Sequence, residues 1–327
     1  MKKLLGLLAI FLIFNSCDDG QLTVDNIDLG NAKVESCVNG ILYKLNENEV
    51  LILGIPEDQQ AFKNVVGLDS LAINSTNTVR YRSYNGKISK ENVCDKIQPA
   101  TPQVTEEWIA VGGLILINTT PVLSLPDETT AATKILRYNH YITFKNIVYA
   151  KPDGSTITFA ENTPGSIFGD YTTTVTDLPF KFTAEDVNQC ATNKMIYNVA
   201  EISTQESLVI QNIDPALLTE TLGKKSGAIG KETNMVIYQY YNTSLPTNLS
   251  DYFCATTTPL LPLVTQKWTA NVGDEATKTG MINVLTEDAG NGKVKHTITF
   301  QKVTFSNAVS GASFFYGNEI LYGVLRP

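Results

Sequence analysis

The chain has 327 residues, 43% of them hydrophobic and 18% charged, with a formal net charge of −8, which is length and apolar content for about two folded domains. The acidic balance argues against a partner such as nucleic acid, or anionic lipid bound by charge, because both call for clustered Lys and Arg. Two histidines and five cysteines in the whole chain leave little from which to build histidine-based catalysis or a metal centre.

The first element is an export segment. Met1-Lys2-Lys3 is positive, and Leu4 to Phe14 is an apolar stretch of 11 residues, well short of the roughly 20 that a membrane-spanning helix needs, so residues 1–16 read as a signal peptide. It ends in Phe14-Asn15-Ser16-Cys17, followed by Asp18-Asp19-Gly20. This run resembles a bacterial lipobox, and the acidic pair resembles the export signal of surface lipoproteins in the Bacteroidota. The resemblance implies that Cys17 is lipidated and becomes the mature N-terminus, and that the protein is lipid-anchored in the outer membrane, on the cell surface. More than one acyl chain is required for stable anchoring. Residues 17–27 are then an acidic tether, and loss of Lys2 and Lys3 takes the formal charge from −8 to −10.

Beyond the tether the chain repeats itself. Strand patterns run EVLILGI (49–55), TVRYRSY (78–84), LILINTT (114–120) and HYITFKNIVYA (140–150), then ESLVIQNI (206–213), MVIYQYY (235–241), GMINVLT (280–286) and HTITFQKVTF (296–305). They alternate apolar and polar residues, are rich in β-branched and aromatic side chains, and are separated by turns such as PDGS and DAGNG. Cys94, Pro99, Pro102, Val104, Thr105, Trp108, Ala110 and Gly113 recur 160 positions later as Cys254, Pro259, Pro262, Val264, Thr265, Trp268, Ala270 and Gly273. The pattern predicts an all-β chain of two tandem homologous β-sandwich domains, Ig-like or jelly-roll-like, at 28–174 and 178–327, joined through TTTVTDLP at 172–179. Residues 56–65 and 214–223 begin with Pro and early acids and predict one short helix per repeat.

The repeat also organises the cysteines. Apart from Cys17, two fall in each copy, and pairing Cys37 with Cys94 and Cys190 with Cys254 keeps each bridge within its repeat. Such bridges need an oxidising compartment, in agreement with export.

Candidate sites are few. His140 and His296 occupy equivalent strand positions, but no nucleophile or carboxylate constellation surrounds them in sequence, which favours hydrogen-bonded structural histidines. Trp108 and Trp268 sit between apolar residues and read as core. Tyr81 and Tyr238 alternate into the core, whereas Tyr84, Tyr240 and Tyr241 are expected to point to solvent or to the other repeat, as aromatics for a ligand or an interface. The pairs Asp127-Glu128, Asp274-Glu275 and Glu287-Asp288 read as turn residues rather than the facing acids of a glycosidase. No catalytic residue, cofactor or metal is implied. The expected function is a non-catalytic binding or adhesion module for a glycan or an envelope protein. The alternative is a structural or accessory subunit of an outer-membrane transport or secretion complex.

Overall fold

The structure, a computed structural model, describes residues 26–327 except 176, 177, 179, 181, 183, 184, 201–203 and 258. Cys17, its signal peptide and most of the tether lie outside the described residues. No helix among the described residues is long and apolar enough to cross a membrane.

The protein is an all-β sandwich fold, with two sheets and two single-turn helices among the described residues. It divides into two compact units. Among the described residues, unit 1 holds 26–54, Ile73–Gly113 and Phe144–Phe168, and unit 2 holds Ile55–Ala72, Leu114–Thr143 and Gly169–Pro327. The units are therefore drawn differently from the tandem boundary at 174–178, since parts of the first repeat count with unit 2.

In unit 1, β1 (Val34–Ser36), β2 (Leu42–Asn46), β3 (Glu49–Gly54) and β5 (Thr78–Tyr84) form an antiparallel run that continues into the first half of β6 (Val104–Leu123). The last residues of β7 (Ile135–Ala150) pair with β8 (Thr156–Phe159). Gly113 marks the point where β6 passes out of unit 1. At φ +112° a side chain would be strained, and a Cβ there would lie 2.8 Å from both the Asn146 carbonyl and the Ile147 Cα, so only glycine fits this close approach.

In unit 2, β4 (Gly67–Ala72) pairs with the second half of β6, and β9 (Ile167–Thr174) follows β7. The remaining strands are β10 (Asp186–Gln189), β11 (Ile196–Val199), β12 (Glu206–Gln211), β13 (Gly223–Ala228), β14 (Met235–Tyr241), β15 (Val264–Ala270), β16 (Met281–Gly290), β17 (Lys293–Ser306) and β18 (Ser313–Leu325). Their pairing closes a ring, β10-β11-β12-β14-β15-β17-β18, sealed by a parallel contact of β10 with β18. Closure removes most free edges.

The same rows recur in both halves of the sequence. Leu51, Tyr81 and Trp108 stand side by side across β3, β5 and β6, as Leu208, Tyr238 and Trp268 do across β12, β14 and β15. Both rows are followed by a register shift, at Ser83/Tyr84 and at Tyr240/Tyr241. Each Trp and each inner Tyr is buried, as alternation requires.

The predicted helices are corrected. Residues 56–65 and 214–223 hold only a 3₁₀ turn each, at Glu57–Gln59 and Pro215–Leu218. Gln60 ends the first turn in the left-handed region, and in the second the Asp214 carboxylate accepts from Ala216 N at 2.9 Å. The helical turns proper are α1 (Glu91–Cys94) and α2 (Leu249–Phe253), each running into a disulfide cysteine. At four and five residues they fall below any helical periodicity in sequence and rely on tertiary packing.

The disulfides are Cys37–Cys94 and Cys190–Cys254, with Cα atoms 5.3 and 5.2 Å apart. Each ties a helical turn over the outer face of a central strand. Cys37, Tyr43, Val50, Tyr84, Ile88 and Val93 form a small second core in unit 1. Cys190, Tyr197, Val209, Ile237, Tyr241, Tyr252 and Phe253 do so in unit 2. The sequence separations of 57 and 64 residues correspond to roughly 4 kcal/mol each on the chain-entropy account. Replacing Cys190 and Cys254 together by Ser should lower the unfolding free energy by about 2–5 kcal/mol, read as a fall in the urea midpoint, and intact-mass analysis without reductant should find no free thiol at the four positions.

Candidate binding cleft

Tyr238 and Trp268 project from neighbouring strands into the large core of unit 2, and each carries a polar atom that must find a partner. Tyr238 donates its hydroxyl to Glu206 Oε2 at 2.9 Å, and Trp268 Nε1 donates to Gln266 Oε1 at 3.2 Å. Glu206, the first residue of β12, is fully buried, and its Oε2 also accepts from the Phe180 backbone N–H at 3.2 Å. Burial, reinforced by the Glu206 charge, pushes the Tyr238 hydroxyl far above its usual range, so it remains a donor at any physiological pH. Phe180 lies flat on Tyr238, ring centroids 3.6 Å apart, and Phe314 meets Trp268 edge-on at 5.3 Å.

Above this aromatic layer unit 2 opens into a cleft of about 560 Å³, within the size range of small-ligand sites. Its apolar floor is Tyr138, Phe180, Trp268 and Phe314. Asn64, Gln266, Asn307 and Ser310 supply polar groups, and the lining holds two lysines, Lys134 and Lys267, with no carboxylate. Val175 and Leu178, inside the stretch read from sequence as a connector, also line it and pack on the core of unit 2.

Unit 1 repeats the chemistry of the two aromatic groups. Tyr81 donates to Glu49 Oε1 at 2.6 Å, Trp108 Nε1 donates to Glu106 Oε1 at 2.6 Å, and the Lys151 ammonium sits 4.5 Å above the Trp108 ring. Glu49 and Glu206 were not singled out in sequence. Extending the TVRYRSYN and MVIYQYYN alignment upstream finds them, because EVLILGI and ESLVIQNI open on these two acids at the same spacing.

The expected exposed tyrosines are corrected. Tyr84 and Tyr241 do leave the main core face, but the face they enter is the disulfide core, and both are buried. Tyr241 bonds Ser207 Oγ at 2.9 Å and Gln239 Oε1 at 3.0 Å. Tyr240 is half-buried, donates to Gln205 Oε1 at 3.4 Å and packs against the large core. None of the three lines the cleft. Two of the acid pairs sit in turns: Asp127 accepts from Thr130 and Thr129 N–H groups, which hold its carboxyl below the usual range, and Asp274 accepts from Ala276 N. The turn reading of Glu287-Asp288 is corrected, since both lie within β16, where Glu287 stands opposite Lys295 in register and meets its ammonium at 3.3 Å.

Both histidines are fully buried inside strands of unit 2. His140 Nδ1 lies 2.8 Å from Thr119 Oγ1, and its Nε2 lies 2.9 Å from Thr173 Oγ1. Thr173 donates to Asn64 Oδ1 at 2.6 Å, so its oxygen receives the Nε2 proton, and Nδ1 accepts from Thr119. A neutral Nε2–H imidazole thus connects the β6 hydroxyl to a residue of the cleft rim. His296 repeats half of this, with Nδ1 3.0 Å from Thr286 Oγ1. The threonines are equivalent, standing opposite Gly67 and Gly223 in register. Among the described residues no group of three or more His, Cys, Asp or Glu could hold a metal.

Comparison with known families, with characterised proteins and with solved structures returns no match for this chain.

Two outcomes follow from this chemistry. Burial lowers the pKa of both histidines, with Lys225 adding to the effect at His296. The unfolded chain therefore takes up protons below about pH 6.5 that the folded chain refuses, and stability is full above that pH and lost as it falls. The urea midpoint should drop between pH 7.5 and 5.5, and the His140→Gln/His296→Gln chain should show a flatter dependence; an unchanged midpoint in the native chain would disprove the neutral-histidine assignment. Tyr238→Phe, which removes a donor from a fully buried carboxylate, should cost about 1–3 kcal/mol. Tyr81→Phe should cost less, because Glu49 is only half-buried, and equal losses in denaturant unfolding would contradict this ranking.

Proposed function

We propose that this chain is a non-catalytic binding lipoprotein of the outer membrane, held at the cell surface through Cys17, whose unit 2 cleft holds part of a glycan or of an envelope protein. The observation that carries the reading is the 560 Å³ cleft with its floor of four aromatic rings and its rim of amide and hydroxyl groups. Aromatic faces suit sugar rings and apolar side chains equally, and the rim groups supply oriented hydrogen bonds. The lipobox resemblance and the two disulfides support the extracytoplasmic setting.

The chain has only two tryptophans, and Trp268 belongs to the cleft while Trp108 lies in unit 1. Trp108→Phe therefore leaves one reporter at the site. Titrating residues 18–327 of this variant with surface polysaccharides and with purified envelope proteins should give a saturable shift in Trp268 emission. Gln266→Ala with Asn307→Ala should weaken the interaction by at least tenfold. Absence of a saturable response to every glycan and protein tried would overturn the binding assignment. Loss of membrane association in Cys17→Ser cells, together with protease accessibility of the native chain on intact cells, tests the anchor separately.

A further inference from the structure

Resting on the binding reading above, we infer that the cleft's occupant is an extended acidic peptide segment, which adds as a strand to the free edge of β15. The argument begins with hydrogen-bond direction. The N–H of Tyr241 bonds the carbonyl of Gln205, on the β12 side of β14. Alternation along β14 then aims the backbone groups of Tyr238 and Tyr240 at β15. Their partners Trp268 and Gln266 spend their own N–H and C=O on β14. Lys267, between them, aims both groups at the opposite edge.

That edge is covered only at its end. Beyond β15 the ladder to β17 holds Thr269 against Ser306 and Ala270 against Phe305, and the Asn271 N–H bonds the Thr304 carbonyl. After Ser306 the chain turns away, with Asn307 N–H bonded to the Ala312 carbonyl. Among the described residues nothing pairs with Lys267 on this side, and the cleft opens there. This accounts for Thr265, Lys267 and Thr269 lining the cleft, although alternation sends their side chains away from the core face that holds Gln266 and Trp268. A strand edge with an unpaired donor and acceptor, set beside an apolar floor, is the arrangement that recruits an extended peptide.

The charge of the lining selects among peptides. In a chain of net charge −8 the cleft is lined by Lys134 and Lys267 and by no acid, and neither lysine makes an ion pair among the described residues. A residue of the added strand directly opposite Lys267 would have its Cβ about 5 Å away, where Asp or Glu is favoured. The alternate residues would face Trp268 and Phe314, where Val, Leu or an aromatic ring fits. The ligand is accordingly a segment alternating acidic and apolar residues.

The test uses a fluorescein-labelled octapeptide alternating valine and aspartate, titrated by fluorescence polarisation into residues 18–327 with both disulfides intact. Saturable binding is expected. N-methylation of every second backbone amide in the phase facing β15 should weaken it at least tenfold, whereas methylation in the other phase should leave it within about twofold. Lys267→Glu should lose this peptide and gain a valine–lysine octapeptide, and that exchange of specificity shows that the variant is folded. Equal losses for the two methylation phases, or binding that Lys267→Glu leaves untouched, would overturn strand addition. Saturable binding of an anionic polysaccharide such as polygalacturonate, with none of the peptide, would overturn the peptide assignment while leaving the binding function standing. A Trp268 response to neither class would remove both.

Discussion

The constraint on which the structure turns is that β5 and β14 each bury a tyrosine on both of their faces. On one face Tyr81 and Tyr238 enter the sheet core, and on the other Tyr84 and Tyr241 enter the core beneath the disulfide. The hydroxyls of Tyr81 and Tyr238, taken into the sheet core, need protein partners there. That requirement places Glu49 and Glu206 at the starts of the neighbouring strands, within 2.6 and 2.9 Å of the tyrosine hydroxyls. It also gives the disulfides a packing role besides chain restriction, because each ties a single-turn helix over the outer face that the second tyrosine fills. Without that cover the outer tyrosine would face solvent, as simple alternation expects.

Buried polar groups in unit 2 favour neutral or donor forms. The histidines are held neutral by desolvation, and the Tyr238 hydroxyl is held protonated by burial and by Glu206. The Thr119–His140–Thr173–Asn64 chain has its proton order set at each step, so Asn64 presents a fixed amide orientation at the cleft rim, with its Nδ2 bound to the Thr174 carbonyl. Preorganisation of this kind lowers the ordering cost of binding.

The strands with strong alternation were legible in sequence. TVRYRSY and MVIYQYY match β5 and β14 at both ends, and the disulfide pairing followed from the repeat. What escaped had physical reasons. β4 and β13, with sequences GLDSLA and GKKSGA, are edge strands largely exposed to water and lack an apolar face. The helical turns are too short for periodicity. Tyr84 and Tyr241 were assigned the correct face, but nothing in β5 or β14 shows that the Cys94 and Cys254 turns cover it. The cleft is assembled from β15, the 307–310 turn, residues 134–138 and the stretch around Phe180, a combination that no local pattern contains.

The two matching stretches of sequence differ where the cleft opens. Aligning HYITFKNIVYA with HTITFQKVTFS puts Lys151 at the position of Asn307. In unit 1 the long Lys151 side chain lies over Trp108, and its ammonium satisfies that ring's face at 4.5 Å. Asparagine is too short for the same arrangement, so among the described residues Trp268 has no cation above it and meets Phe314 and the cleft instead. Position 107 differs as well. Glu107 is held by Arg82 at 2.7 Å, whereas its counterpart Lys267 is exposed and makes no ion pair among the described residues. Unit 1 thus satisfies its tryptophan and its charge internally. The same strand in unit 2 leaves a cation and, among the described residues, an unpaired backbone edge beside the aromatic floor of the cleft.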